Sequence, residues 1–155
     1  VKVAGVDYST RAVDIVTLDE DNHAEWHHHA LSASTSALER ARSVSLVVPG
    51  RDHAFWSDID AVGMERVIPH GSIVTLLWVM GAVLTCIPGR IPVEPLTPSR
   101  WKSAVGLSGS ATKEQVARFA EAWCVKHRTV GADWNQDAKD ALCMALVARA
   151  MVTVD

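Results

Sequence analysis

Val3-Ala-Gly-Val-Asp7-Tyr-Ser-Thr-Arg11-Ala-Val-Asp-Ile-Val-Thr-Leu18 is the stretch from which the rest of the chain is read. Residues 3–6 are apolar and run directly into Asp7, as in a buried central strand that ends on a carboxylate. Tyr8-Ser9-Thr10-Arg11 turns the chain, and 13–18 reads as a second strand. Asp19-Glu20-Asp21-Asn22 is a polar hairpin connection, after which 24–29 forms a third strand antiparallel to the second. The chain therefore opens as a three-stranded meander.

Working outward, Ser34-Thr35-Ser36 supplies caps for a helix over 35–48, which Pro49-Gly50 stops. Residues 61–67 read as a strand carrying Glu65 among apolar neighbours. Pro69-His70-Gly71 is a turn, and Ser72 opens a long apolar helix that reaches Cys86 and ends at Pro88-Gly89. A short strand over 91–94 follows, then a short helix capped by Ser99 and running to 105. Two Gly and two Ser within 106–110 predict a mobile loop. Thr112 caps the next helix, with Gln115 three residues on as its capping-box partner and Val116, Phe119, Ala120 and Trp123 as its apolar face. The last helix covers 137–151. These elements predict an α/β fold: one mixed five-stranded sheet with helices on both faces, in a single domain over 1–155.

Composition narrows the function. In 155 residues, 48% are hydrophobic and 21% charged, which supports a buried core and excludes wholesale disorder. With 15 Lys and Arg against 18 Asp and Glu, the net charge of −3 disfavours a uniformly basic DNA coat. No apolar run is long enough for a bilayer, and the opening lacks a basic-then-apolar signal segment. Val1 reads as following a removed Met or as a trimmed start. Three widely spaced cysteines, Cys86, Cys124 and Cys143, read as buried free thiols and suit a reducing cytoplasm. Most of the six Trp read as packing residues.

Four acids stand out by position. Asp7 ends a buried strand, Glu65 lies in another, and Asp137 and Asp140 share one face at the start of the last helix. If the two strands pair, that helix can bring its aspartates over Asp7 and Glu65. Clustered carboxylates raise one another's pKa, and a divalent cation with hard oxygen ligands removes that cost. Two such ions about 4 Å apart can clamp a phosphodiester, one preparing the water and one stabilising the leaving oxygen. The four acids are thus candidate ligands for Mg²⁺, with Mn²⁺ as a substitute.

The same residues carry a family likeness. Val3-Ala-Gly-Val-Asp7-Tyr-Ser-Thr-Arg11 resembles the opening strand of the RuvC-type Holliday junction resolvases, and Glu65-Arg-Val-Ile68 resembles their second acidic strand. Pro98-Ser-Arg-Trp-Lys102 and Val105-Gly-Leu-Ser-Gly-Ser-Ala-Thr-Lys113-Glu-Gln-Val116 are similar to the segment leading into their penultimate helix. Asp137-Ala-Lys-Asp140-Ala-Leu142 is similar to their closing Asp-x-x-Asp-Ala motif. The resemblance implies an RNase H-like fold and a homodimer that cuts two opposed strands of a four-way DNA junction with Mg²⁺ or Mn²⁺. It implies that Asp7, Glu65, Asp137 and Asp140 hold the metal, and that Lys102 and Lys113 contact DNA near the scissile phosphate. Tyr8-Ser9 departs from the family's Pro-Gly, and Ile68 stands where an aromatic residue implicated in opening the junction is common. Diverged small resolvases of this kind occur in phages, so a viral origin, acting in host cytoplasm, is expected.

Charge and hydropathy add to this. Residues 86–131 hold seven Lys or Arg against three acids, while the rest of the chain holds eight against fifteen. A basic lip around an acidic centre fits DNA, with Arg100, His70, Ser108 and Ser110 as further contacts. His27, His28 and His29 read as edge-strand surface residues, only His27 and His29 sharing a face. The helix over 72–86 is apolar on more than one face, which predicts a partner copy. Competing readings are a less selective nuclease on forks, flaps or RNA–DNA hybrids, and a non-catalytic nucleic-acid-binding dimer. Sugar-kinase-like chemistry is disfavoured by the short chain and the missing Walker-type loop.

Overall fold

The computed structural model describes residues 1–34, 36–67, 73–129, 131 and 133–153. β1 (Val3–Tyr8) pairs antiparallel with β2 (Ala12–Leu18), and β2 antiparallel with β3 (Ala24–Ala30). On its other side β1 pairs parallel with β4 (Ala61–Glu65), which pairs parallel with β5 (Val93–Leu96). The sheet order is β3-β2-β1-β4-β5, so the two acid-bearing strands are central neighbours.

Every residue of β1 and β2 is buried, because helices cover both faces. One layer is α1 (Ala37–Val47) and α2 (Val74–Cys86), packed over Ala4, Val6, Val13, Ile15, Val62 and Met64. The other holds α3 (Pro98–Ala104), α4 (Lys113–His127) and α5 (Gln136–Val152). There Val3, Val16 and Leu18 meet Ala138, Ala141, Leu142, Ala145 and Ala148. The α5 face is nearly all alanine opposite two strand glycines. A Cβ on Gly5 would overlap the Ala141 carbonyl oxygen, and one on Gly63 the Met144 carbonyl oxygen. The small residues let α5 lie directly on the centre of the sheet.

Several boundaries differ from the sequence reading. β4 stops at Glu65 rather than 67, and β5 occupies Val93–Leu96 rather than 91–94. Ser99 does not cap α3: Thr97 is the N-cap and Pro98 takes the first helical position, where its missing N–H costs nothing. α5 starts one residue earlier than expected because Asn135 caps it, accepting from the Ala138 N–H at 2.7 Å. The Thr112–Gln115 capping box is present in both directions. The loop over 106–110 is pinned rather than loose. The Leu107 N–H donates to the Lys102 carbonyl at 3.0 Å, the Ala111 N–H to the Ser108 carbonyl at 2.8 Å, and the Ser108 and Ser110 hydroxyls meet at 2.9 Å. Ile68, His70 and Ser72 lie outside the described residues.

All three cysteines are free and buried. Trp56, Trp101 and Trp134 are core residues, whereas Trp78 on α2 is half-exposed. The histidine run is not simply surface. His27 packs edge-on against Phe55 at 5.0 Å, and the Nε2 atoms of His27 and His29 are enclosed without a partner among the described residues. Burial lowers the pKa of both rings. Among the described residues, no helix is long and apolar enough to cross a membrane.

Candidate active site

The side-chain alternation of β1 sends Val3, Gly5 and Asp7 to the α5 face. The parallel register puts Val6 opposite Met64, so Asp7 and Glu65 occupy the next position, side by side at the strand ends. Asp137 lies in the first turn of α5 and Asp140 three residues later, on the same side of the helix. Close seating of α5 on Gly5 and Gly63 lowers that side onto the strand ends. Asp7, Glu65, Asp137 and Asp140 line one open cleft of about 310 Å³, with Tyr8, Ser9, Pro98, Trp101, Lys102, Lys113 and Val116.

Electrostatics tie the four together. Asp7 is only 8% exposed, and its pKa is raised well above the ordinary aspartate value. Burial is the main cause, followed by the charges of Glu65, Asp140 and Asp137, while the Tyr8 N–H, donating at 2.9 Å, offsets part of it. Burial and the same neighbours raise Glu65, with the Trp101 indole and Lys102 opposing. Asp140 is pushed up to about 6, chiefly by burial, although Gln136 Nε2 donates to its Oδ1 at 2.7 Å. Asp137 is raised by burial and by Asp14. The carboxylates ring the cleft without converging: among the described residues, no three His, Cys, Asp or Glu side chains are grouped so as to hold one ion. The donors are nevertheless all hard oxygens, partly dehydrated and mutually repelling, a set that suits Mg²⁺ or Mn²⁺ and not a soft metal.

The basic candidates divide. Lys102 and Lys113 stand on the cleft wall, with the Lys102 ammonium donating to the Ala111 carbonyl at 2.8 Å. Arg100 is engaged by Glu94 at 2.7 Å and is not on that wall. Ser108 and Ser110 bond to each other on the exposed loop, also off the wall. His70 lies outside the described residues.

Other contributors escaped the sequence reading. Tyr8, at the departure from Pro-Gly, buries its ring and donates its hydroxyl to the Glu65 carbonyl at 2.8 Å, locking β1 to the strand end that carries Glu65. Asp14 pairs across β1–β2 with Asp7 and is 1% exposed. Its Oδ1 accepts from Trp26 Nε1 at 2.8 Å and faces His28 Nδ1 at 2.8 Å. His28 pairs with Asp14 in turn, so one row across the sheet reads His28–Asp14–Asp7–Glu65. Nothing in an isolated Val-Asp-Ile distinguishes Asp14 from a surface charge. Only the double coverage of β2 does.

No protein-family model matches the chain. A crossover junction endodeoxyribonuclease RuvC from Halorhodospira halophila (strain DSM 244 / SL1) is 38% identical over 89 residues. That match takes in 55% of this chain and 51% of the relative, so the chain spans about half the length of the curated relative it matches. Among solved structures, Thermus thermophilus RuvC superposes with a TM-score of 0.67 at 23% identity, covering 94% of this chain and 92% of that one. T. thermophilus RuvC in complex with a Holliday junction substrate gives 0.66 at 21% identity, covering 99% and 97%. The fowlpox virus Holliday junction resolvase gives 0.51 at 11% identity, covering 95% and 97%. The likeness read from the opening strand, the second acidic strand and the closing helix therefore extends to the architecture: the chain shares the fold of the RuvC structures, a mixed five-stranded sheet with helices on both faces.

Proposed function

We propose that the protein is a divalent-cation-dependent endonuclease that resolves four-way DNA junctions by paired phosphodiester hydrolysis. The observation that carries this reading is the cleft itself. Four acids from β1, β4 and α5 share it with two lysines, in a fold shared with RuvC proteins, one of them solved on a Holliday junction. Asp7, Glu65, Asp137 and Asp140 would hold Mg²⁺ or Mn²⁺, which when bound supplies an activated water and charge neutralisation at the scissile phosphate. Lys102 and Lys113 bind the flanking backbone and select no base. The Tyr8 hydroxyl and Gln136 amide hold the Glu65 strand end and the Asp140 carboxylate in place. Arg100, Ser108 and Ser110 stand off the cleft wall, where they would meet only more distant phosphates.

The apolar side of α2 supports a homodimer, which would present two clefts to two opposed strands. Val79 and Val83 face the core, yet Val74, Leu77, Trp78 and Leu84 are 39–57% exposed on a helix with no charged residue. A labelled four-way junction incubated with Mg²⁺ decides the function. Symmetric paired nicks are expected, and Asp7→Asn should abolish them while junction binding persists. Absence of cutting with every divalent ion tried would sink the proposal. Equal cutting of forks, flaps or RNA–DNA hybrids would replace junction resolution with the broader nuclease, a reading favoured by the Tyr8-Ser9 and Ile68 departures.

A further inference from the structure

Trp101 is 1% exposed, in the middle of α3, packed with Leu96, Val116, Cys143 and Met144. A buried indole normally finds an acceptor for its N–H. Here Nε1 closes no hydrogen bond among the described residues, although the ring forms part of the cleft wall beside Glu65. An enclosed donor without a partner forfeits free energy unless another state of the molecule satisfies it. Glu65 is the carboxylate acceptor that lines the same wall of the cleft as the indole, and the indole N–H acts on it in the sense a donor would, opposing the rise of its pKa. The donor is also stiffly mounted: Pro98 starts α3, and Lys102, next in the chain, is anchored to Ala111 with its ammonium 5.5 Å from the indole centroid.

We propose that the Trp101 indole N–H is a positioning donor for Glu65, holding its carboxylate in the orientation in which it would serve the cation the cleft would hold. This rests on the metal-holding reading of the four acids. It gives Glu65 an outer partner, as Gln136 already is for Asp140. The consequence is specific to this chain's own Trp101, because Phe keeps an aromatic ring in the core but removes the N–H and leaves Glu65 unsupported.

The test is Mn²⁺ binding, measured by calorimetry on the intact protein without DNA, for wild type, Trp101→Phe, Glu65→Gln and the double variant. Trp101→Phe should weaken Mn²⁺ about tenfold, at the low end of what losing an outer partner of a metal ligand costs. In the Glu65→Gln background the same change should have no further effect, because coupled residues are not additive. A purely packing role would lower the melting temperature and leave Mn²⁺ affinity untouched, which overturns the inference. If wild type itself binds no Mn²⁺, the metal-holding reading fails first and takes the inference with it. If Trp101→Phe does not fold, the wild-type indole resonance decides: it should shift and saturate with Mg²⁺, and an unmoved Trp101 N–H at saturating Mg²⁺ refutes the proposal.

Discussion

Asp140→Asn should make the metal-free protein more stable while destroying its cleavage activity. The Asp140 pKa rises from the ordinary 3.8 to about 6 in the folded protein. A raised carboxylate pKa means that the folded state disfavours the charged form, so stability is lost as pH rises through this range. The cost is absent below the unfolded value and complete above the folded one. At about 1.4 kcal/mol per tenfold change in proton affinity, it reaches about 3 kcal/mol at pH 7.5 and about 1.5 kcal/mol at pH 5. Asn removes the charge and keeps an oxygen that accepts from Gln136. It also relieves Asp7 and Glu65, both raised by Asp140. Urea denaturation in EDTA reads this directly: a gain of about 3 kcal/mol moves the midpoint up by about 1.5 M for a typical slope of about 2 kcal/mol/M. The gap should shrink by about half at pH 5. Saturating Mg²⁺ should stabilise wild type and leave the variant nearly unmoved, since only the native wild-type site binds it. An Asn variant no more stable than wild type in EDTA at pH 7.5, or a gap indifferent to pH, would refute the reasoning.

Gly5→Ala forces a methyl group into the Ala141 carbonyl and should cost about 3 kcal/mol or more, read as a lower urea midpoint, with cleavage falling as α5 is lifted off the strand ends. Lys113→Ala should weaken junction binding in EDTA and reduce the slope of log affinity against log salt by about 1, equally for all sequences, as filter binding across a salt series would record. Trp78→Glu, on the exposed side of α2, should convert a dimer to monomers in sedimentation velocity without lowering Mn²⁺ affinity per chain.

The strand that carries Asp7 near its end, the meander after it, the Thr112–Gln115 box and the Asp137–Asp140 pair were all legible from residue order. Each is a short-range pattern: apolar run, polar turn, capping spacing, helical i,i+3 phase. The bounds of β5 and α3 were less so, because Ile91, Val93, Pro95 and Pro98 fit neighbouring registers and only the pairing of Val62 with Val93 selects one. What the sequence determined by itself is which carboxylates stand at element ends and that an α/β sheet would carry them. Only the tertiary structure decided how near they come, because Gly5 and Gly63 admit the alanine face of α5 to contact with the sheet. It also decided that Asp14 and Trp101 turn inward. An aspartate in an apolar strand and a tryptophan between two basic residues look the same in sequence whether they face water or a cleft. The burial of both faces of β2, and of the indole beneath α3, is a property of packing and not of local order.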